Sequence, residues 1–115
     1  MTTIYHNPRC SKSRQTLSLL EQHGLDPEII EYLKTPPSAA ELKDILKMLK
    51  MTPRELMRRG EDVYKQLGLE DESLPDDKLI AAMVENPVLI ERPIVVHEGR
   101  AAIGRPPENV LDLFA

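Results

Sequence analysis

Cys10 is the only cysteine in the 115-residue chain, and it stands in Tyr5-His6-Asn7-Pro8-Arg9-Cys10-Ser11-Lys12-Ser13-Arg14. A thiol reacts as its thiolate, so its chemistry depends on neighbours that favour an anion. The short run Thr3-Ile4-Tyr5 has the character of a strand, and Thr16, Leu17 and Leu20 follow at helical spacing. Cys10 therefore sits where a strand gives way to a helix, facing the free amides and partial positive charge of the helix start. Arg9, Lys12 and Arg14 add cationic charge, and Ser11 and Ser13 bring hydroxyl donors. A single cysteine in a small domain is commonly a buried small hydrophobe. These flanking residues are not core residues, and Cys10 is expected to be a nucleophile.

Cys10-x-x-Ser13 has the spacing of a dithiol redox motif with a hydroxyl in place of the second sulfur. Ser13 cannot resolve a mixed disulfide, so reducing equivalents must come from outside thiols such as glutathione and a small redox protein. His6, four residues before the thiol, either pairs with the thiolate or caps the first strand. Arg58 (with Arg59 beside it), Arg92 and Arg105 fall at the ends of expected elements. Arginine presents a planar fork that binds tetrahedral oxyanions and keeps its charge at any relevant pH. Singly, such arginines are ordinary solvated charges, and they gain meaning only if the fold gathers them near Cys10. Arg92 precedes Pro93, and an X-Pro bond at this point can be cis. His23 and His97 carry no expected role. No metal-ligand spacing, glycine-rich phosphate loop or Ser-His-Asp pattern is present.

The elements that must position these groups follow from periodicity and stop signals. A helix is expected over 11–22, closed by Gly24, and Glu28-Ile29-Ile30-Glu31-Tyr32 reads as a second strand. Strand, helix, strand in this span is a βαβ unit with parallel strands. Ser38-x-x-Glu41 and Thr52-Pro53-x-Glu55 are capping boxes. Leu42, Ile45, Leu46 and Leu49 mark the clearest amphipathic helix. The helix opened at Thr52 is expected to end near Arg58-Arg59-Gly60. Further helices are expected over 61–67 and from Asp76 to Asn86, so that 38–86 is a helical block without strands. Pro93-Ile94-Val95-Val96, a turn at Glu98-Gly99 and Ala101-Ala102-Ile103 read as a hairpin. Pro106-Pro107 start a last helix with Val110, Leu111 and Phe114 on its apolar side. The expected fold is α/β and thioredoxin-like, a single domain over 1–115 with βαβ and ββα halves and a helical insertion at about 38–86. In such folds a cis-proline faces the active loop, which would set Arg92-Pro93 opposite Cys10.

The balance of charge is −4, with 30% charged residues and no Trp. An acidic domain of this kind is not suited to the nucleic-acid backbone or an anionic membrane. No apolar run approaches bilayer length, and the first residues lack a basic leader and an apolar signal core. A cytoplasmic location is the expectation.

Ile4-Tyr5-His6-Asn7-Pro8-x-Cys10-x-x-Ser13-Arg14 resembles the active-site stretch of the glutaredoxin-dependent arsenate reductases, the ArsC family. The resemblance continues through Tyr32-Leu33, Pro36-Pro37-Ser38 and Tyr64-x-x-Leu67-Gly68-Leu69. It resumes at Pro87-Val88-Leu89-Ile90-x-Arg92-Pro93-Ile94-Val95-Val96 and ends with Arg105-Pro106 and Val110-Leu111-Asp112. It implies arsenate as substrate, a covalent thiol-arsenate adduct on Cys10, and Arg58, Arg92 and Arg105 as oxyanion ligands. It further implies His6 as an aid to thiolate formation, glutathione as co-substrate, glutaredoxin as protein partner, and no bound cofactor or metal. Two other functional readings share the fold, beside that of an inert relative that keeps it. One is a glutathione-dependent thiol reductase acting on a different substrate. The other is a regulator of the Spx type that binds RNA polymerase; those typically carry Cys-x-x-Cys, and Ser13 argues against a disulfide switch.

Overall fold

The computed structural model describes residues 1–115. They divide into two compact units, one made of residues 1–35 with 92–115 and the other of residues 36–91. The fold is α/β and thioredoxin-like, with βαβ and ββα halves and a helical insertion between them in sequence.

The first unit is built on a four-stranded sheet of β1 (Thr2–His6), β2 (Glu28–Glu31), β3 (Ile94–His97) and β4 (Arg100–Ile103), in the order β2-β1-β3-β4. β1 and β2 are parallel, with Ile4 opposite Ile29; β3 runs antiparallel to β1 and to β4. The parallel pair requires a crossover, which α1 (Ser11–Gln22) supplies. Side chains alternate across a strand, and in β1 Thr2, Ile4 and His6 are the buried set. Ile4, Leu20 of α1, Val95, Val110 and Leu113 form the core, with Leu17, Leu25, Ala102 and Phe114 packed around it.

The last element is a 3-10 helix over Pro107–Phe114, not an α-helix. At three residues per turn, positions i, i+3 and i+6 line one face. The buried stripe is accordingly Pro107, Val110 and Leu113. The expected stripe of Val110, Leu111 and Phe114 keeps only Val110 fully inside, and the other two are half-buried. Phe114 instead tilts against the His97 ring, centroids 4.5 Å apart.

The second unit is helical: α2 (Ala39–Leu49), α3 (Pro53–Leu56), α4 (Asp62–Gln66), α5 (Asp76–Glu85) and a 3-10 turn over Pro87–Leu89. Both capping boxes form. Ser38 N–H donates to Glu41 Oε1 at 2.9 Å and Glu41 N–H to Ser38 Oγ at 3.1 Å; Thr52 N–H donates to Glu55 Oε1 at 2.8 Å. α3 ends at Leu56, before the expected Arg58–Gly60 limit, because Met57 turns extended and bridges to Ile90. Glu91 N–H donates to Leu56 O and Arg58 N–H to Leu89 O, at 3.0 and 2.7 Å, and fix that bridge. Leu42, Ile45, Leu46, Leu56, Leu79, Ile80, Met83 and Leu89 are buried in this unit. No helix is long and apolar enough to cross a membrane.

Candidate active site

Cys10 is the N-cap residue of α1, in extended backbone with φ −93° and ψ 124°. An N-cap side chain lies beside the amides of the second and third helical residues, which are otherwise without partners. Here those residues are Lys12 and Ser13. The loop before it is a tight turn tied by Asn7: Cys10 N–H donates to Asn7 O and Arg9 N–H to Asn7 Oδ1, both at 3.0 Å. Arg14 Nη1 reaches back to Pro8 O at 2.9 Å and closes the turn from the helix side. The sulfur-bearing residue is 8% exposed, enough for a small reactant at one face and too little for bulk water on all sides.

The cation that reaches the sulfur is Arg105, whose Nη1 lies 4.0 Å from Cys10 Sγ. The same nitrogen donates to Arg92 O at 3.3 Å. Arg105 is 95 residues from Cys10 in sequence, and the sheet brings them together: β1 leads into Cys10, β3 follows Arg92, and β4 leads into Arg105. Arg92-Pro93 and Arg105-Pro106 are both cis. The sequence expectation of a cis bond thus extends to a second Arg-Pro step, for which Arg105-Pro106 itself gave no separate signal.

His6 and Ser13 meet each other rather than the sulfur. His6 Nδ1 and Ser13 Oγ are 2.6 Å apart, and Asn7 N–H donates to the same Ser13 oxygen at 3.0 Å. Ser13 is fully buried, so its hydroxyl proton needs an acceptor, and His6 Nδ1 is the one in reach. A neutral imidazole protonated on Nε2 satisfies this pair. Burial pushes the His6 pKa below the ordinary 6.5, with Arg14 acting in the same direction and Glu31 against it. His6 and Ser13 therefore brace the loop before Cys10 and the first turn of α1 as one unit.

Two residues with little signal in the sequence set the approach of α1 to the arginine turns. Thr16 is fully buried on α1, and its hydroxyl donates to Lys12 O at 2.8 Å and lies 3.5 Å from Gly104 O. Gly104 N–H donates to Pro93 O at 3.0 Å. A Cβ on Gly104 would collide with Thr16 Oγ1 and would stand 2.9 Å from Pro93 Cγ. Only glycine lets helix, cis-Pro93 and the Arg105 turn come this close. The Gly-Arg-Pro-Pro run was the available sequence signal.

Arg58 belongs to the helical unit. Its Nε lies 3.1 Å from Glu61 Oε2 and its Nη1 2.9 Å from Glu91 Oε1, and it is about a quarter exposed. Arg59 beside it is exposed. The two carboxylates hold the Arg58 fork in one direction, which the neighbouring arginine lacks. No group of three or more His, Cys, Asp or Glu side chains is placed to hold a metal ion.

Chemically, a thiol at a helix N-terminus with a guanidinium at its edge suits attack on a small electrophilic oxyanion. Several known proteins are similar to the chain over most of its length. The ArsC family model matches residues 5–113. A protein of Escherichia coli K12 known as YfgD, itself uncharacterized, is 61% identical over 111 residues, spanning 96% of this chain and 93% of its own. An arsenate reductase of Neisseria meningitidis serogroup A is 52% identical over 108 residues, spanning 93% of this chain and 92% of its own. Among solved structures, an arsenate reductase from Vibrio cholerae superposes with a TM-score of 0.95 at 55% identity, covering 97% of this chain and 96% of that one.

Proposed function

The chain belongs to the ArsC family, and on that footing we propose that it reduces arsenate to arsenite through a covalent adduct on Cys10, with glutathione and a glutaredoxin as electron donors. The observation that carries the proposal is the approach of Arg105 Nη1 to Cys10 Sγ at the start of α1. In the first step the Cys10 thiolate attacks arsenic of dihydrogen arsenate. An S–As bond forms, an As–O bond breaks, and the oxygen leaves as water with the two protons of the oxyanion. Arsenic is still pentavalent, and the added negative charge on its oxygens is met by Arg105 and Arg92 and by the helix-start amides. For Arg92 and Arg58 the assignment as further oxyanion ligands rests on the resemblance alone.

Glutathione then adds to arsenic through its sulfur, and a second oxygen leaves as water with the thiol proton and one proton from solvent. A glutaredoxin thiolate attacks the glutathione sulfur. The electron pair of that S–As bond passes to arsenic, which becomes trivalent, and the oxidised product is the glutathione–glutaredoxin mixed disulfide. Water displaces the Cys10 sulfur, arsenite leaves, and the thiol is restored. Ser13 has no sulfur with which to short-circuit this sequence, so the outside thiols are required. His6 and Ser13 hold the loop, and a cytoplasmic location would supply both donors in reduced form.

The test is a coupled assay with glutathione, glutaredoxin, its reductase and NADPH. Arsenate-dependent NADPH oxidation is expected from the wild type and is absent in Cys10→Ala. Oxidation equal in the two overturns the proposal. Turnover with a different oxidised substrate and not with arsenate would leave Cys10 as nucleophile and replace the substrate.

A further inference from the structure

We propose that the cavity at the carboxyl ends of β1 and β2 binds the C-terminal glycyl carboxylate of glutathione, holding the tripeptide for reaction at Cys10. The inference rests on the proposed role of glutathione as reductant and assigns it a place.

The cavity has a volume of about 290 Å³, close to the roughly 300 Å³ at which small-molecule pockets begin. One wall is the loop before the nucleophile, through His6, Asn7 and Arg9; the other is the end of β2 and the turn after it, through Glu31, Leu33 and Lys34. Its position has a topological cause. Loops that leave the carboxyl ends of neighbouring parallel strands diverge and open a crevice between them. β1 and β2 are the sheet's parallel pair, and Cys10 lies four residues beyond the end of β1.

The lining charges select the kind of group that enters. Arg9 and Lys34 are cationic, Glu31 is the single carboxylate, and burial disfavours the charged form of His6. Lys34 Nζ and Glu31 Oε1 are 3.5 Å apart. Arg9 has no ion-pair partner, and its backbone is fixed by Asn7, the residue that also receives the Cys10 amide. The lining is thus positive by one charge, with an uncommitted guanidinium one residue from the nucleophile. Glutathione has two polar ends. The γ-glutamyl head is a zwitterion of zero net charge, whereas the glycyl end is a bare carboxylate one residue from the ligand's thiol. The glycyl end matches in charge, and a guanidinium fork pairs with a carboxylate through two parallel hydrogen bonds. The exposed side chain of Leu33 gives the tripeptide an apolar edge to lie on.

S-Methylglutathione cannot react and isolates binding from turnover. Titrated into the reduced full-length protein and followed by calorimetry and amide NMR, it is expected to perturb residues 6–9 and 31–34. Its glycyl ethyl ester should bind about tenfold more weakly, the loss of one charge-assisted contact. In the Arg9→Ala/Lys34→Ala double variant, acid and ester should bind alike. Equal binding of acid and ester to the wild type, a preference that survives in the double variant, or no binding of the acid at all overturns the proposal. None of these outcomes involves arsenate, so a failed site is distinguishable from a wrong substrate. In the coupled assay the double variant should raise the KM for glutathione. A fall in kcat with an unchanged glutathione KM also overturns it.

Discussion

At the scale of single residues, the site is organised by which polar groups are already committed to one another. Ser13 Oγ is shared by His6 and the Asn7 amide, so it acts on Cys10 by fixing the turn. Ser13→Ala would leave a buried amide and a ring nitrogen without partners, at a cost of about 1–3 kcal/mol in stability, read as a lowered urea midpoint. A midpoint equal to the wild type would show that water replaces the hydroxyl. Arg105 brings one nitrogen to both the Cys10 sulfur and the Arg92 carbonyl, which sets a guanidinium edge beside the thiol. Arg105→Lys keeps the charge but loses the planar fork. It is expected to lower kcat/KM for arsenate about 10- to 100-fold, the worth of one charge-assisted hydrogen bond, with unchanged thermal stability. Unaltered kinetics in Arg105→Lys would mean that only the charge matters.

At the scale of elements, the relation between α1 and the ends of β3 and β4 decides whether thiol and guanidinium meet. Gly104 is the contact that sets it. Gly104→Ala forces a methyl into Thr16 and Pro93, and such overpacking costs about 1–3 kcal/mol. Because the displaced turn carries Arg105, activity should fall together with stability. Thr16→Ala removes the Thr16 atoms that the new methyl would meet. The double variant Gly104→Ala/Thr16→Ala should then be more stable than the sum of the single changes, measured by chemical denaturation. Strict additivity would place the strain elsewhere. In the helical unit, the capping boxes hold α2 and α3 independently of the chemistry, and Ser38→Ala should cost about 1 kcal/mol with no effect on Cys10 reactivity toward iodoacetamide.

At the scale of the whole molecule, acid weakens the fold through several groups of one sign. His6 has its folded pKa pushed below 6.5 by burial. The unfolded state therefore binds the proton first, and stability falls as pH drops through 6.5 toward the lowered value. Glu55 and Asp71 have carboxyls held below their ordinary 4.5 and 3.8 by hydrogen bonds from Thr52 and Ser73. Their contribution is present above those values and is lost at still lower pH, as the folded-state carboxyls take up protons. Urea midpoints should decline in the window below pH 6.5, and His6→Asn should flatten the upper part of that decline. A wild-type midpoint that is constant between pH 7 and 5.5 would contradict the assignment of His6 as a buried neutral ring.

The sequence by itself determined the element order and singled out the thiol. Local signals carry that information: Gly24 and the two capping boxes stop and start helices, β-branched residues mark β3, and the only cysteine stands at a strand-to-helix junction. Hydrophobic period distinguishes strand from helix, but it could not distinguish the last 3-10 helix from an α-helix, since Val110 lies on the buried face in either geometry. Nor could local pattern find the early end of α3, which Ile90 imposes from 33 residues away through its bridge to Met57. The tertiary structure alone decided which polar groups meet. Arg105 reaches Cys10, His6 pairs with Ser13, and Gly104 yields to Thr16, because each of these contacts depends on sheet register and on space left by other elements. Chemistry of residue types is written along the chain, whereas distance between residues far apart in it is a product of packing.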